Sequence, residues 1–398
     1  MKHFFITALF ATFFSCGSQL YPSQSTAVTP ILCGAAQTEE YMDLLKNKRV
    51  GLIANQTSTI GQTHLADTLV ALGIQVATVF APEHGFRGEA GAGEHIKDGK
   101  DPKTGIPVLS LYGKTKKPTA EMLKGIDLLV FDIQDVGARF YTYISTLHYV
   151  LEAAAENNIE VLVLDRPNPN GYYVDGPVRE EKYASFVGMH AIPIVHGLTV
   201  GELTQMIMGE GWLKSNPVVH IIPCKNYTHS MRYSLPVKPS PNLPNDRAIE
   251  LYPSLCWFEG TEVSVGRGTP YPFQIIGFPD CTTGTYTFTP IDMPGIANDP
   301  PHENKLCKGL DLRTNAITSG DTTTGIHIDW LLNMYSSYPN PSTFFNANGF
   351  FDKLCGTASV REMVIAGKTS EQIRESWQED LVAYKKRRKL YLLYPDFE

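Results

Sequence analysis

The sequence is poor in the features that settle function quickly. Only 19% of its 398 residues are charged, and 34 Lys and Arg against 41 Asp and Glu leave a net charge of −7. That balance excludes a broad nucleic-acid surface, which needs clustered cations to neutralise phosphates. An anionic ligand would have to be met by local arginines. No internal run approaches the roughly 20 apolar residues of a membrane span. There is no C-x-x-C, P-loop, H-E-x-x-H or G-x-S-x-G, so the usual zinc, nucleotide and serine-hydrolase signatures are missing. Gly88, Gly91 and Gly93 follow an apolar run but do not spell G-x-G-x-x-G, which argues against a dinucleotide. His64, His84, His95, His148, His190 and His196 show no i, i+4 pair, so no metal or other cofactor is expected.

The first 20 residues read as an export signal. Lys2 and His3 precede the apolar run Phe4 to Phe14, and the small residues Ser15, Cys16 and Gly17 follow. Cys16 stands where a lipoprotein would carry its lipid, although Phe13 departs from the Leu usual at such sites. The expected location is therefore the periplasm, free or tethered to a membrane. Six cysteines remain, scattered as buried thiols would be; Cys281 and Cys307 form the one pair worth checking for a disulfide.

Beyond the leader, short apolar runs alternate with helical patterns, the mark of a parallel α/β sheet. The expected strands are Val50 to Ala54, Val76 to Phe80, Val108 to Leu111, Leu128 to Ile133, Val161 to Leu164, Ile192 to Val195 and Val218 to Ile222. Ile144, Leu147, Val150, Leu151 and Ala154 recur at three and four residues within a helix expected over Thr142 to Glu156. Thr199 with Glu202 and Thr369 with Gln372 have capping-box spacing. Pro236, Pro239, Pro241 and Pro244 then break the pattern. The expectation is a Rossmann-like domain over 33–240 and a smaller mixed α+β domain over 241–398 that closes a cleft.

In open parallel sheets ligands bind beyond the carboxyl ends of the strands, and polar residues concentrate there in this sequence. Glycoside hydrolysis suits such a set, since it needs one protonated carboxyl for the leaving oxygen and a second group at the sugar carbon. Glu83 fits the acid: it follows a strand and is flanked by Pro82, His84 and Phe86, which favour the protonated form. Its bland alternative is a helix cap or a pair with Arg87. The catalytic candidates are Glu83, its neighbour His84 and Asp132, but Asp135, Asp165 and Asp175 also follow expected strands. For a 2-acetamido sugar the substrate's own amide can replace a second carboxylate. Arg87, Arg139, Arg166 and Arg267 are candidates to grip a carboxylate, and Tyr141 to stack on a sugar. Asn55, Gln134, Asp135, Asp165 and Asn168 complete the expected binding set.

Five segments together are specific: Gly51-Leu52-Ile53-Ala54-Asn55-Gln56-Thr57-Ser58, Pro82-Glu83-His84-Gly85-Phe86-Arg87-Gly88, Phe131-Asp132-Ile133-Gln134-Asp135-Val136-Gly137, Asp165-Arg166-Pro167-Asn168-Pro169 and Pro239-Ser240-Pro241-Asn242-Leu243-Pro244. In this order they strongly resemble the bacterial exo-β-N-acetylmuramidases of the NamZ type, long catalogued as a domain of unknown function. The resemblance runs from about residue 45 to Tyr391-Leu392-Leu393-Tyr394. It implies a Rossmann-like domain without dinucleotide, a site in the cleft beside a smaller domain, and Glu83 as the catalytic glutamate. The implied substrates are peptidoglycan fragments such as MurNAc-GlcNAc, from which terminal non-reducing N-acetylmuramic acid is released. Its lactyl carboxylate is expected to meet Arg87, Arg139 or Arg166. The competing reading is a muropeptide-binding lipoprotein without catalysis; an amidase or esterase is disfavoured by the missing nucleophile motif.

Overall fold

The computed structural model describes residue 1 and residues 29–88, 98–314 and 325–398. The export signal, Cys16, His95 and the glycines 91 and 93 lie outside the described residues. From Ile31 to Glu398 the chain forms one compact unit.

At its centre are seven strands: β1 (Arg49–Ala54), β2 (Gln75–Ala81), β3 (Gly99–Lys100), β4 (Pro107–Ser110), β5 (Leu128–Asp132), β6 (Glu160–Leu164) and β7 (Val219–Ile222). They lie in the order β3-β4-β2-β1-β5-β6-β7. All pairs are parallel except the short edge pair β3 and β4. Without β3, this is the 3-2-1-4-5-6 order of a Rossmann-like sheet.

Alternate side chains go to opposite faces, as strand geometry demands. Ile53, Leu129, Phe131, Val161 and Val163 join one buried cluster, whereas Leu52, Leu128, Val130, Leu162 and Leu164 join another. Because both faces are covered, each of these side chains contributes on the order of 1.5–3 kcal/mol of burial. The helix α1 (Tyr143–Asn157) buries the expected stripe Ile144, Leu147, Val150, Leu151 and Ala154 against the first cluster. It ends where Asn158 turns left-handed, at φ 54°. Both expected capping boxes form, at Thr199 ahead of α2 (Val200–Gly209) and at Thr369 ahead of a helix at Ser370–Glu375.

The Ile192–Val195 strand does not form. Val195 makes only isolated bridges to Ala138 and Asp175. Pro193 cannot donate to a ladder, and the carbonyls of Ile192 and Ile194 are taken by Arg139 and its backbone N–H.

The carboxyl-terminal part is smaller and mixed. The strands Ile275–Phe278, Cys307–Asp311 and Tyr286–Phe288 pair antiparallel, and short helices follow from Ile328. Its Trp257, Phe273, Leu331, Trp377 and Tyr384 share a buried cluster with the sheet's Ile53 and Phe131. Cys281 and Cys307 are both free thiols, as are the other four described cysteines. No described helix is long and apolar enough to cross a membrane.

Candidate active site

The strand order reverses between β1 and β5, and loops leaving their carboxyl ends diverge to open a crevice. The loop after β1 is folded on itself: Asn55 Oδ1 accepts from Thr57 N at 2.9 Å and Thr57 Oγ1 at 2.6 Å. Thr57 Oγ1 in turn accepts from Gln134 N at 3.0 Å, and Ser58 Oγ donates to the Asp132 carbonyl. These bonds staple the β1 loop to the β5 loop.

Glu83 follows β2 on a sharp turn. His84 adopts φ 73° and Gly85 φ 79°. A left-handed histidine costs on the order of 1 kcal/mol, a conformation kept only where the surroundings enforce it. The reversal points the Glu83 carboxylate into the crevice while His84 stays buried in its inner wall. The Tyr143 hydroxyl donates to the Glu83 carbonyl at 3.2 Å, and Thr142 Oγ1 stands 3.5 Å from Oε2. Just past the end of β4, the Tyr112 phenol is held above its ordinary range by burial and by the charge of the nearby Glu83 carboxylate.

The other strand-end carboxylates are engaged elsewhere. Asp132 is fully buried and held by Arg166 Nε at 2.6 Å and Nη2 at 2.9 Å. Arg166 spends a further N–H on the Thr59 carbonyl. Asp165 accepts from Tyr394 Oη at 2.5 Å, Thr199 Oγ1 at 2.7 Å, Gly201 N at 2.8 Å and Arg166 N at 2.9 Å. Burial outweighs those bonds and pushes its pKa up to about 6. Asp175 accepts from Arg374, Trp377 and the Gly176 and Ile326 amides. Asp135 caps Gly137 N at 2.6 Å, with His196 Nε2 3.6 Å away. The catalytic candidate Asp132 and the binding candidate Asp165 thus have their carboxylates engaged by bonds within the protein.

The arginines divide in the same way. Arg139 has no exposed surface; it donates to the carbonyls of Pro177, Ile192 and Leu354. Stripped of water, its guanidinium falls to a pKa of about 9. Arg87 is bidentate on Asp101 at 2.7 and 2.8 Å and also reaches Asp67. Arg139 and Arg166 are thus braces rather than ligand grips. Gln134 ties the carbonyls of Asp135 and Pro167, and Asn168 ties Asn170 N to the Leu198 carbonyl. Tyr141 is buried edge-to-face against Tyr143 and Tyr252, with its hydroxyl on the Pro239 carbonyl at 2.8 Å. It is floor, not a stacking platform.

What remains open is a cleft of about 600 Å³. Glu83, Tyr112, Glu259, Glu262, Arg267, His302 and Asn346 line it, and a narrower recess behind it shares Glu83 and Arg267 with Tyr143, Asn242 and Phe273. The volume suits a sugar-sized ligand. Sequence reasoning found Glu83 and Arg267 but missed Tyr112, Glu259 and His302. Tyr112 carried a usable signal, since it stands just past a strand end. Glu259 and His302 lie in the turn-rich segment beyond the sheet, where no periodicity marks the wall of a site.

A family model described as the amino-terminal part of the exo-β-N-acetylmuramidase NamZ matches residues 50–247, and one for its carboxyl-terminal part matches 250–394. The chain belongs to the NamZ family. It is 40% identical over 378 residues to the peptidoglycan β-N-acetylmuramidase NamZ of Bacillus subtilis, covering 89% of each chain. Two DUF1343 family proteins from Bacteroides fragilis have similar crystal structures. One is 47% identical with a TM-score of 0.84, covering 92% of this chain and all of the other. The second is 32% identical with a TM-score of 0.76, covering 92% and 99%. The NamZ match spans both walls of the cleft, Glu83 and Tyr112 in the first part, Glu259 and Arg267 in the second.

Proposed function

We propose that the protein is an exo-acting β-N-acetylmuramidase that hydrolyses the β-1,4 bond of terminal non-reducing N-acetylmuramic acid in peptidoglycan fragments such as MurNAc-GlcNAc. Family membership supports the reaction class, and one observation carries the assignment to the cleft. Glu83, on the loop after β2 and one strand from the point where the strand order reverses, is a strand-end carboxylate that lines the open cleft. In its protonated form it gives its proton to the glycosidic oxygen as the bond to the anomeric carbon breaks. The Tyr112 and Thr142 hydroxyls then face the carboxylate left behind and stabilise the charge as it develops. With Asp132 and Asp165 engaged within the protein, the second group at the sugar carbon comes from the cleft itself, from the substrate's own 2-acetamido carbonyl or from Glu259 or Glu262.

The leader pattern at residues 2–17 supports export, to the periplasm or to a membrane tether through Cys16. The purified protein incubated with MurNAc-GlcNAc should release both free sugars. With GlcNAc-MurNAc, where muramic acid is at the reducing end, it should release nothing. Binding of either disaccharide without cleavage would favour a non-catalytic muropeptide-binding protein, and cleavage of both would remove the muramyl specificity.

A further inference from the structure

The muramidase reading leaves open how the cleft tells muramic acid from N-acetylglucosamine, which differ by a lactyl ether bearing a carboxylate. Of the four arginines that stood out in the sequence, only Arg267 lines the cleft. Its Nε donates to Glu259 Oε1 at 2.6 Å, and its guanidinium carbon lies 5.1 Å from the centre of the Phe273 ring. A guanidinium has five N–H donors arranged as a fork. Among the described residues, the hydrogen bonds of this one go to Glu259 through Nε. The outer edge, Nη1 and Nη2, is left toward the cleft, with 21% of the side chain exposed.

Glu259 is itself fixed. It lies in the buried turn Cys256–Gly260, with Oε2 3.6 Å from Cys256 Sγ and its carbonyl accepting from Asn346 Nδ2 at 3.4 Å. Glu259 and Phe273 thus orient the cation before any ligand arrives, which lowers the entropy lost on binding. The surrounding charge selects the same spot. Glu83, Glu259, Glu262 and Asp299 all line the cleft, so a ligand carboxylate is repelled along most of its wall and attracted at Arg267. Tyr112, which lines the same cleft, feels the charges of both Glu83 and Arg267. Glu83 and Arg267 line both the cleft and the recess behind it.

We propose that Arg267, held by Glu259, is the specificity residue that reads the lactyl carboxylate by a bidentate contact through Nη1 and Nη2. A charge-assisted contact of this kind is worth on the order of 10- to 100-fold in binding.

The proposal rests on the muramidase reading, and its test separates the two. Hydrolysis of a chromogenic β-N-acetylmuramide is compared with that of the same compound bearing a neutral lactyl methylamide, for wild type, Arg267→Met, Arg267→Lys and Glu259→Gln. Wild type should prefer the acid. Arg267→Met should lower kcat/KM on the acid by about 10- to 100-fold, chiefly through KM, and lower it much less on the amide. Arg267→Lys should recover only part of the preference, since an ammonium lacks the fork. Glu259→Gln should raise KM for the acid more than for the amide. Circular dichroism confirms that each variant is folded. A folded Arg267→Met enzyme with the wild-type ratio of acid to amide would overturn the proposal. If wild type turns over neither compound, the muramidase reading fails. Calorimetric binding of N-acetylmuramic acid and its methylamide then decides the role of Arg267 by the same ratio.

Discussion

Two sets of polar side chains leave the same end of the parallel sheet and meet opposite fates. The loops after β5 and β6 carry Asp132, Asp135, Asp165, Arg166 and Asn168, and nearly every one of their polar atoms is spent within the protein. The loop after β2 carries Glu83, and the turn across from it carries Glu259 and Arg267; these keep surface in an open cleft. Position at a strand end is thus common to Glu83 and the braced set. What distinguishes them is whether the opposing element packs onto them or lines an open cleft with them. The carboxyl-terminal residues pack onto Asp165, through Tyr394, and onto Asp175, through Arg374 and Trp377. Across from Glu83 they stand off, and Glu259 and Arg267 line the cleft with it. Bracing residues should therefore act on stability, and cleft residues on substrate binding and turnover.

The sharpest break of that contrast on the braced side is Arg166→Met. It leaves the Asp132 carboxylate buried without its bidentate partner, and chemical denaturation should show a loss of about 3–5 kcal/mol. Asp165 tests the same side through pH. Its folded-state pKa is raised from 3.8 to about 6, so the folded protein holds the proton more tightly than the unfolded chain. Its contribution is full below 3.8 and is lost as pH rises through about 6. Relative to Asp165→Asn, wild type should accordingly gain about 2 kcal/mol between pH 7 and pH 4. A difference that grows toward pH 7 would mean that the carboxylate is stabilised by its donors.

Backbone geometry gives a smaller effect. Gly137 sits at φ 77°, and an added Cβ would lie 2.2 Å from Asn168 Oδ1. Gly137→Ala should cost about 1–3 kcal/mol and shift Tm without a specific effect on kcat. Smallest of all, Thr369→Ala removes a capping box far from the cleft and should lower stability by about 1 kcal/mol.

The sheet was largely legible because its strands are buried on both faces and read as continuous apolar runs between turn signals. β1, β2, β4, β5, β6 and β7 fall within a residue or so of expectation at their core ends. Ile192–Val195 has the same composition and fails as a strand, because its partners are single residues and an arginine rather than a neighbouring strand. Local pattern cannot carry that distinction. The site was legible in part for a related reason. Glu83 was marked by its strand end and by the resemblance, whereas Tyr112 and Glu259 acquire meaning only when the chain brings them to one cleft. The arginines show the limit most clearly: Arg139 lies in an aromatic setting that looks like a sugar site and is a fully buried clamp on three carbonyls, while Arg267 reaches the cleft from a Gly-rich turn.

The most direct test of the account is turnover of a chromogenic β-N-acetylmuramide by wild type and by Glu83→Gln, with thermal unfolding of both followed in parallel. An amide of the same shape should leave Tm within a few degrees of wild type and lower kcat by about 10²–10⁴-fold. A folded Glu83→Gln protein that turns over at the wild-type rate would contradict it.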